Sequence, residues 1–311
     1  MLPAANARPA RAPRRRVDGV LLLDKPPGLS SNAALQRTRR LFAAEKAGHT
    51  GTLDPLATGL LPLCLGEATK SAHALLDARK EYRATLRFGR ATTTGDAEGE
   101  PLRECPVAFS RADLEAALPR FLGRILQIPP RHAALKHQGR NYYEYARAGI
   151  DIPRVPRQIE IDALEIVEWA LPVVVLRVAC GKGTYVRTLA EDLAGAVGSC
   201  AHLSALRRMA SGPFTIEQAV TLEGLEAMDA EGRDACLLPA DAPLAGLPRL
   251  DLGPLESHAL AEGRAVAASS RPPGRYRCYG PHGRFSGLVE VDAENILRAV
   301  RLLRTDALAQ S

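Results

Sequence analysis

Ala47-Gly48-His49-Thr50-Gly51-Thr52-Leu53-Asp54-Pro55-Leu56-Ala57-Thr58-Gly59 sets three glycines, three threonines and a proline around a single aspartate. No regular helix or strand tolerates that mixture across thirteen residues, so the stretch predicts a shaped loop. The proline after Asp54 fixes the angle at which the carboxylate is presented, and flanking glycines admit close backbone approach. Such a carboxylate suits a nucleophile or a general base. An Asx-turn aspartate that only shapes the loop has the same spacing, and spacing alone leaves both readings open. His49 has no second imidazole or thiol at metal-ligand spacing, so no metal is expected.

Upstream of the loop, Val17–Asp24 predicts a short buried strand stopped by Lys25-Pro26-Pro27-Gly28. Ser30, Ser31 and Asn32 offer caps for a helix with Ala34, Leu35, Thr38, Leu41 and Phe42 on one face. Arg37, Arg39 and Arg40 lie on the other, a solvated face that could also meet phosphates. Downstream, a helix is expected over 68–78 and then a strand over 81–88, with Tyr82, Ala84, Leu86 and Phe88 in one inward row. Ser110 caps a helix bearing Leu114, Ala117, Leu118 and Phe121. Residues 129–157 are irregular, basic and aromatic, with Arg131, Lys136, Arg140, Arg147, Tyr142, Tyr143 and Tyr145. Strands at 159–169 and 173–180 lead through a Gly181-Lys182-Gly183 turn into a helix to about Ala196. Arg187 falls in the first turn of that helix, where the macrodipole disfavours a cation. A carboxylate or phosphate partner would explain it, and a solvated arginine is the alternative. Beyond a Pro/Ala/Asp linker near 238–248, about sixty residues alternate short β-like runs with Gly/Pro turns, the pattern of a small β-barrel.

Composition restricts the function classes. The net charge of +6 is carried mostly by the five arginines of residues 1–16; without them 36 basic residues face 35 acidic ones. Local clusters must therefore carry any argument for nucleic acid. Those first sixteen residues read as a disordered basic tail, since three prolines spoil an amphipathic targeting helix. No apolar run is long enough to span a bilayer, so no membrane is expected. The six cysteines are scattered without a C-x-x-C pair and are expected to be reduced thiols in a cytoplasmic protein. Asp96, Glu98 and Glu100 read as solvated. Gly181-Lys182-Gly183-Thr184 lacks the earlier glycine of a phosphate loop.

Six segments in order resemble the bacterial TruB family, the tRNA pseudouridine-55 synthases. They are Asp24-Lys25-Pro26-Pro27-Gly28 with Ser30-Ser31-Asn32; the loop 47–59; Lys80-Glu81-Tyr82; and Ala134–Arg140 with Tyr143-Glu144-Tyr145-Ala146-Arg147. Cys180-Gly181-Lys182-Gly183-Thr184-Tyr185-Val186-Arg187 and Leu206-Arg207-Arg208 with Ser211-Gly212-Pro213-Phe214 complete the set. The chain departs from the family at Pro129-Pro130-Arg131-His132, where Pro-Pro-Met-Tyr is frequent, and at Thr93, where an acidic residue is common.

The resemblance implies an α+β fold: a catalytic domain over 17–243 with a mixed, largely antiparallel central sheet flanked by helices, and a small PUA-like β-barrel over 247–306. It implies isomerisation of uridine 55 in the tRNA T loop by base flipping, with Asp54 catalytic, Arg187 its ionic partner and Tyr82 stacking on the target base and serving proton transfer at C5. Leu206 would line the pocket with Tyr185, His49 would help hold the extruded nucleotides, and Lys25, Arg37, Arg40, Lys136 and Arg147 would contact RNA. The isomerisation calls for no cofactor and no metal. A monomer acting on the T-stem-loop without guide RNA is expected.

Overall fold

The computed structural model describes residues 14–303 apart from residue 270. Its strands are β1 (Gly19–Lys25), β2 (Ala47–His49), β3 (Thr58–Leu65), β4 (Lys80–Phe88), β5 (Arg90–Thr92), β6 (Pro101–Glu104) and β7 (Gly123–Gln127). They continue with β8 (Lys136–His137), β9 (Arg140–Asn141), β10 (Arg157–Ala170), β11 (Val173–Cys180), β12 (Ala201–Ser211), β13 (Phe214–Thr215) and β14 (Val220–Thr221). Ten of these form one mixed sheet in the order β14-β1-β3-β12-β4-β11-β10-β7, with β2 on β3 and β13 on β12. Only β1–β14 and β12–β3 run parallel. Helices α1 (Ser31–Leu41), α2 (Ala72–Asp77), α3 (Arg111–Ala117), α4 (Tyr142–Arg147) and α5 (Val186–Ala196) flank the sheet and its insertions. A separate five-stranded sheet, β15 (Arg249–Asp251), β16 (Val266–Ala267), β17 (Gly274–Tyr279), β18 (Phe285–Val291) and β19 (Ile296–Leu302), curls into a PUA-like half-barrel. This is the expected α+β architecture.

Of the three apolar clusters on the main sheet, two frame the site. One gathers Ala84, Leu86 and Phe88 of β4 with Leu176 and Val178 of β11 and Leu189 and Leu193 of α5. The other gathers Leu21 and Leu23 of β1, Leu61 and Leu63 of β3, and Ala34 and Leu35 of α1. Alternation puts every second side chain of a strand on one face, and α1 presents its apolar stripe at helical spacing. Ser30 caps α1 by accepting from the Ala33 amide at 3.1 Å. Tyr82 and Leu206 pack against both cores and so mark the seam between them.

Several expectations change. The single helix over 68–78 is a 3₁₀ turn at Gly66–Lys70 followed by α2, because the chain bends at Ser71. Cys105 and Cys200 form a disulfide, not two thiols. The β5–β6 hairpin lies over the start of β12, where Gly89 donates to the Cys200 carbonyl at 2.8 Å, and the two Cα atoms come within 5.7 Å. Of the expected tail, residues 1–13 lie outside the described residues. Arg15 is fixed to the body by Asp234 at 2.6 Å and by the Phe42 carbonyl at 3.0 Å, so this part of the expected tail is held against the body.

Candidate active site

The loop between β2 and β3 is fastened at close intervals. Thr50 donates its amide to the Pro62 carbonyl at 3.1 Å. The Leu53 amide donates to Ser31 Oγ at 2.7 Å, and Ser31 Oγ donates to the Leu53 carbonyl at 2.9 Å. The Gly28 amide reaches the Pro55 carbonyl at 2.9 Å, and the Ala57 amide turns back to the Asp54 carbonyl at 3.0 Å. Gly59, at φ +97°, closes the loop where a Cβ would lie 2.3 Å from the Arg208 carbonyl oxygen, so only glycine fits. Leu53 is sunk in the core on one side of Asp54 and Ala57 on the other. Asp54 itself keeps 41% of its side chain exposed in a recess walled by protein.

Facing it is Arg187, the second residue of α5, with 8% of its side chain exposed. Its guanidinium lies 3.1 Å from Asp54 Oδ2 and 3.5 Å from Asp96 Oδ2. It donates to the carbonyls of Thr94 and His132, each at 3.0 Å. Two carboxylates and two carbonyls thus hold a cation where the helix dipole repels one. Asp96 is buried at 3% exposure, a correction to its reading as a solvated residue: the Thr92–Glu100 loop folds inward onto Arg187. Thr94 donates its hydroxyl to Asp96 at 2.5 Å and the Glu98 amide does so at 3.1 Å. Burial pushes the Asp54 carboxyl upward; Arg187 opposes it most strongly, Asp96 adds to it, and Lys25 and His132 oppose it less.

Tyr82 and Leu206 line the seam beside this pair. Tyr185 precedes α5 and is pinned by Gln127, whose amide oxygen accepts from the Tyr185 amide at 2.9 Å while its Nε2 donates to the Tyr185 carbonyl at 3.1 Å. His49 sits in β2 opposite Leu63 with its Nδ1 buried and unpaired, and burial, then Arg208, holds its pKa below the usual histidine range. Lys25, expected to contact RNA, is fully buried. Its ammonium donates to the carbonyls of Pro26 at 2.9 Å, Leu29 at 2.7 Å and Pro55 at 3.4 Å. It is a clamp between the β1 turn and the loop, and burial lowers its pKa to about 8. No group of three or more His, Cys, Asp or Glu side chains able to hold a metal is gathered among the described residues.

Residues 39–186 match the family model for the N-terminal domain of TruB family pseudouridylate synthases, and residues 187–245 match the tRNA pseudouridylate synthase B C-terminal domain. The tRNA pseudouridine synthase B of Thiobacillus denitrificans is 56% identical over 284 residues, 91% of this chain and 95% of that protein. Its counterpart in Chromobacterium violaceum is 51% identical over 96% of this chain and 99% of its own. The chain belongs to the TruB family. Among solved structures, a Cbf5-Nop10-Gar1 complex aligns with a TM-score of 0.67 and 27% identity over 88% of this chain and 78% of that one. An H/ACA ribonucleoprotein bound to a substrate RNA containing 2′-deoxyuridine shares the fold at 23% identity and a TM-score of 0.69, over 92% of this chain and 85% of that one.

The remaining cations expected to contact RNA in this TruB-family chain lie in two places. Lys136 on β8 and Arg147 at the end of α4 are exposed, with Arg147 lying 5.4 Å over the Tyr143 ring. On α1, Arg40 is exposed, whereas Arg37 is engaged in two bonds to Glu226 at 2.6 and 2.9 Å, and Arg39 donates to the carbonyls of Ala44 and Glu45. Ser31, Gln127 and Asp96 also shape the site, although no sequence pattern assigns them to it. Ser31 stands in the sequence as one of three cap candidates and within the first resembling segment, with no role given to it at the loop; Gln127 carries no signal, and Asp96 is masked by its hydrophilic neighbours.

Proposed function

We propose that this chain isomerises uridine 55 in the T loop of tRNA to pseudouridine, without guide RNA or cofactor, as a cytoplasmic monomer. One observation carries the reading: an accessible carboxylate, Asp54, stands 3.1 Å from a buried arginine at a seam lined by Tyr82 and Leu206. The names of the relatives support the substrate class. In the reaction the N1–C1′ bond breaks, the base turns, C5 joins C1′, and the proton on C5 is exchanged for one on N1. Asp54 acts at the sugar or base as nucleophile or general base, and Arg187 favours its ionised form. A base inside a folded loop must be extruded to reach the recess, where Tyr82 offers a stacking face and Leu206 and Tyr185 offer walls. His49 steadies the neighbouring extruded nucleotides. Lys136, Arg147 and Arg40 meet backbone phosphates, which makes binding salt-dependent. The catalytic unit is assigned to residues 17–243 and the RNA-binding half-barrel to 247–306.

The test is conversion of an unmodified tRNA transcript by purified protein with no added RNA, mapped by carbodiimide protection and primer extension. The account expects one modified site, at position 55, absent when that uridine is replaced by cytidine. Modification elsewhere, or only with added guide RNA, would contradict it.

A further inference from the structure

We infer that Arg208 is a positioning residue for the final proton transfer of this reaction, holding the Tyr82 oxygen in place as the phenolate that receives the C5 proton. The inference rests on the role given to Tyr82 above. Arg208 and Tyr82 are directly opposite each other in the β12–β4 ladder, so their side chains leave the sheet on the same face. Arg208 is 1% exposed, among the largest fully buried side chains of the protein. Its Nε donates to the Leu60 carbonyl at 2.6 Å and its Nη2 to the Gly51 carbonyl at 3.2 Å. Those carbonyls lie on either side of the segment that carries Asp54, and its own backbone is what Gly59 packs against. One side chain therefore fixes the catalytic loop and faces the tyrosine.

Charge distinguishes the two buried arginines. Arg187 has two carboxylates within ion-pair distance. Arg208, among the described residues, has none. Arginine keeps its proton when buried, and a buried cation without a counter-charge is costly unless it is fully hydrogen-bonded. Its surroundings are positive as well: Lys80 is buried with its ammonium on the carbonyls of Leu75, Leu76 and Ala78, and Lys25 lies on the β1 side of the same loop. Burial pushes the Tyr82 phenol up, and Arg208 is the group that pulls hardest the other way, with Cys180 and Asp54 as the other ionisable neighbours. A phenolate formed at Tyr82 would supply the counter-charge that Arg208 lacks. In the step itself the Tyr82 phenol first gives its proton to solvent. The C5–H bond then breaks, its electron pair enters the C5–C6 double bond, the N1–C6 π pair passes to N1, which takes a proton from solvent, and the C5 proton goes to the Tyr82 phenolate.

The experiment compares wild type with Arg208→Met, Arg208→Lys and Tyr82→Phe in single turnover on tRNA transcripts made with uridine or [5-²H]uridine. The inference expects Arg208→Met to bind RNA with unchanged affinity and to convert it about 10²-fold more slowly, the scale of a missing general-base contribution. A primary deuterium effect larger than that of wild type must accompany the slowdown. A slowdown without that larger isotope effect, or no slowdown, overturns it. Should Arg208→Met lose RNA binding through collapse of the loop, Arg208→Lys decides by the same isotope criterion. A Tyr82→Phe enzyme with a wild-type isotope effect would instead overturn the role given to Tyr82; an enlarged effect there but not in the Arg208 variants would sink the Arg208 inference alone.

Discussion

Loop 50–57 and segment 129–156 both reach Arg187, one through the Asp54 carboxylate and the other through the His132 carbonyl. The loop is tied down from β1, α1, β3 and β12, by Lys25, Ser31, Pro62 and Arg208. The segment is held by far less: a two-residue hairpin, one turn and a half of helix, Tyr145 donating to the His137 carbonyl at 3.0 Å, and Arg154 donating to the Pro129 carbonyl at 3.0 Å. Its cations Arg131, Lys136, Arg140 and Arg147 are exposed, while every cation touching the loop is buried. On the proposed function, rigidity falls where a bond would be broken at a fixed distance, and adaptable charge where a large polyanion would be seated.

The contrast predicts effects of different kind and size. Arg187→Met should have the largest, about 10²–10⁴-fold slower conversion at saturating RNA, because Asp54 loses the partner that favours its charge. The sign of its pH dependence follows. Burial already raises the Asp54 pKa, and without Arg187 it rises further. Activity that needs the carboxylate is present above that pKa and lost as pH falls through it, so the acid limb should move to higher pH in the variant. A single-turnover pH profile whose acid limb stays in place would break the pairing.

Ser31→Ala should come next. It leaves the buried Leu53 amide and carbonyl without their partner, costing about 1–3 kcal/mol in denaturant unfolding, and it slows turnover by loosening Asp54. Normal stability and rate together would mean the loop needs no such pin. Lys136→Glu with Arg147→Glu should leave the rate at saturating RNA unchanged and weaken binding. The slope of log Kd against log salt should fall by about one for each phosphate no longer neutralised. An unchanged slope would remove segment 129–156 from the interface. The smallest effect is expected at Arg37→Ala: its guanidinium is engaged by Glu226, so filter binding should show less change than for Arg40→Ala. The reverse order would place Arg37 on the RNA.

Much of this is legible in the residues. Gly, Thr and Pro around Asp54 announce a loop, alternation announces β4, and the position of Arg187 in a first helical turn points to an anion, with a solvated side chain as the alternative that the structure removes. What escapes depends on tertiary pairing. Strand β12 sits in the middle of the sheet, but bulges at Leu203/Ala205 and Arg208/Ala210 break its alternation. Asp96 is buried only because its loop folds onto Arg187. Lys25, expected to contact RNA, is buried by the carbonyls of its own turn, Pro26 and Leu29, together with that of Pro55, thirty residues further along. The Cys105–Cys200 disulfide joins residues 95 apart, a separation no local pattern encodes.

The central claim, that Asp54 carries the chemistry, is tested most directly by tritium release from an unmodified tRNA transcript containing [5-³H]uridine, with wild type and Asp54→Asn compared at equal RNA occupancy. The account predicts release by wild type alone, with the variant still binding the transcript. Release by both proteins would contradict the assignment of Asp54.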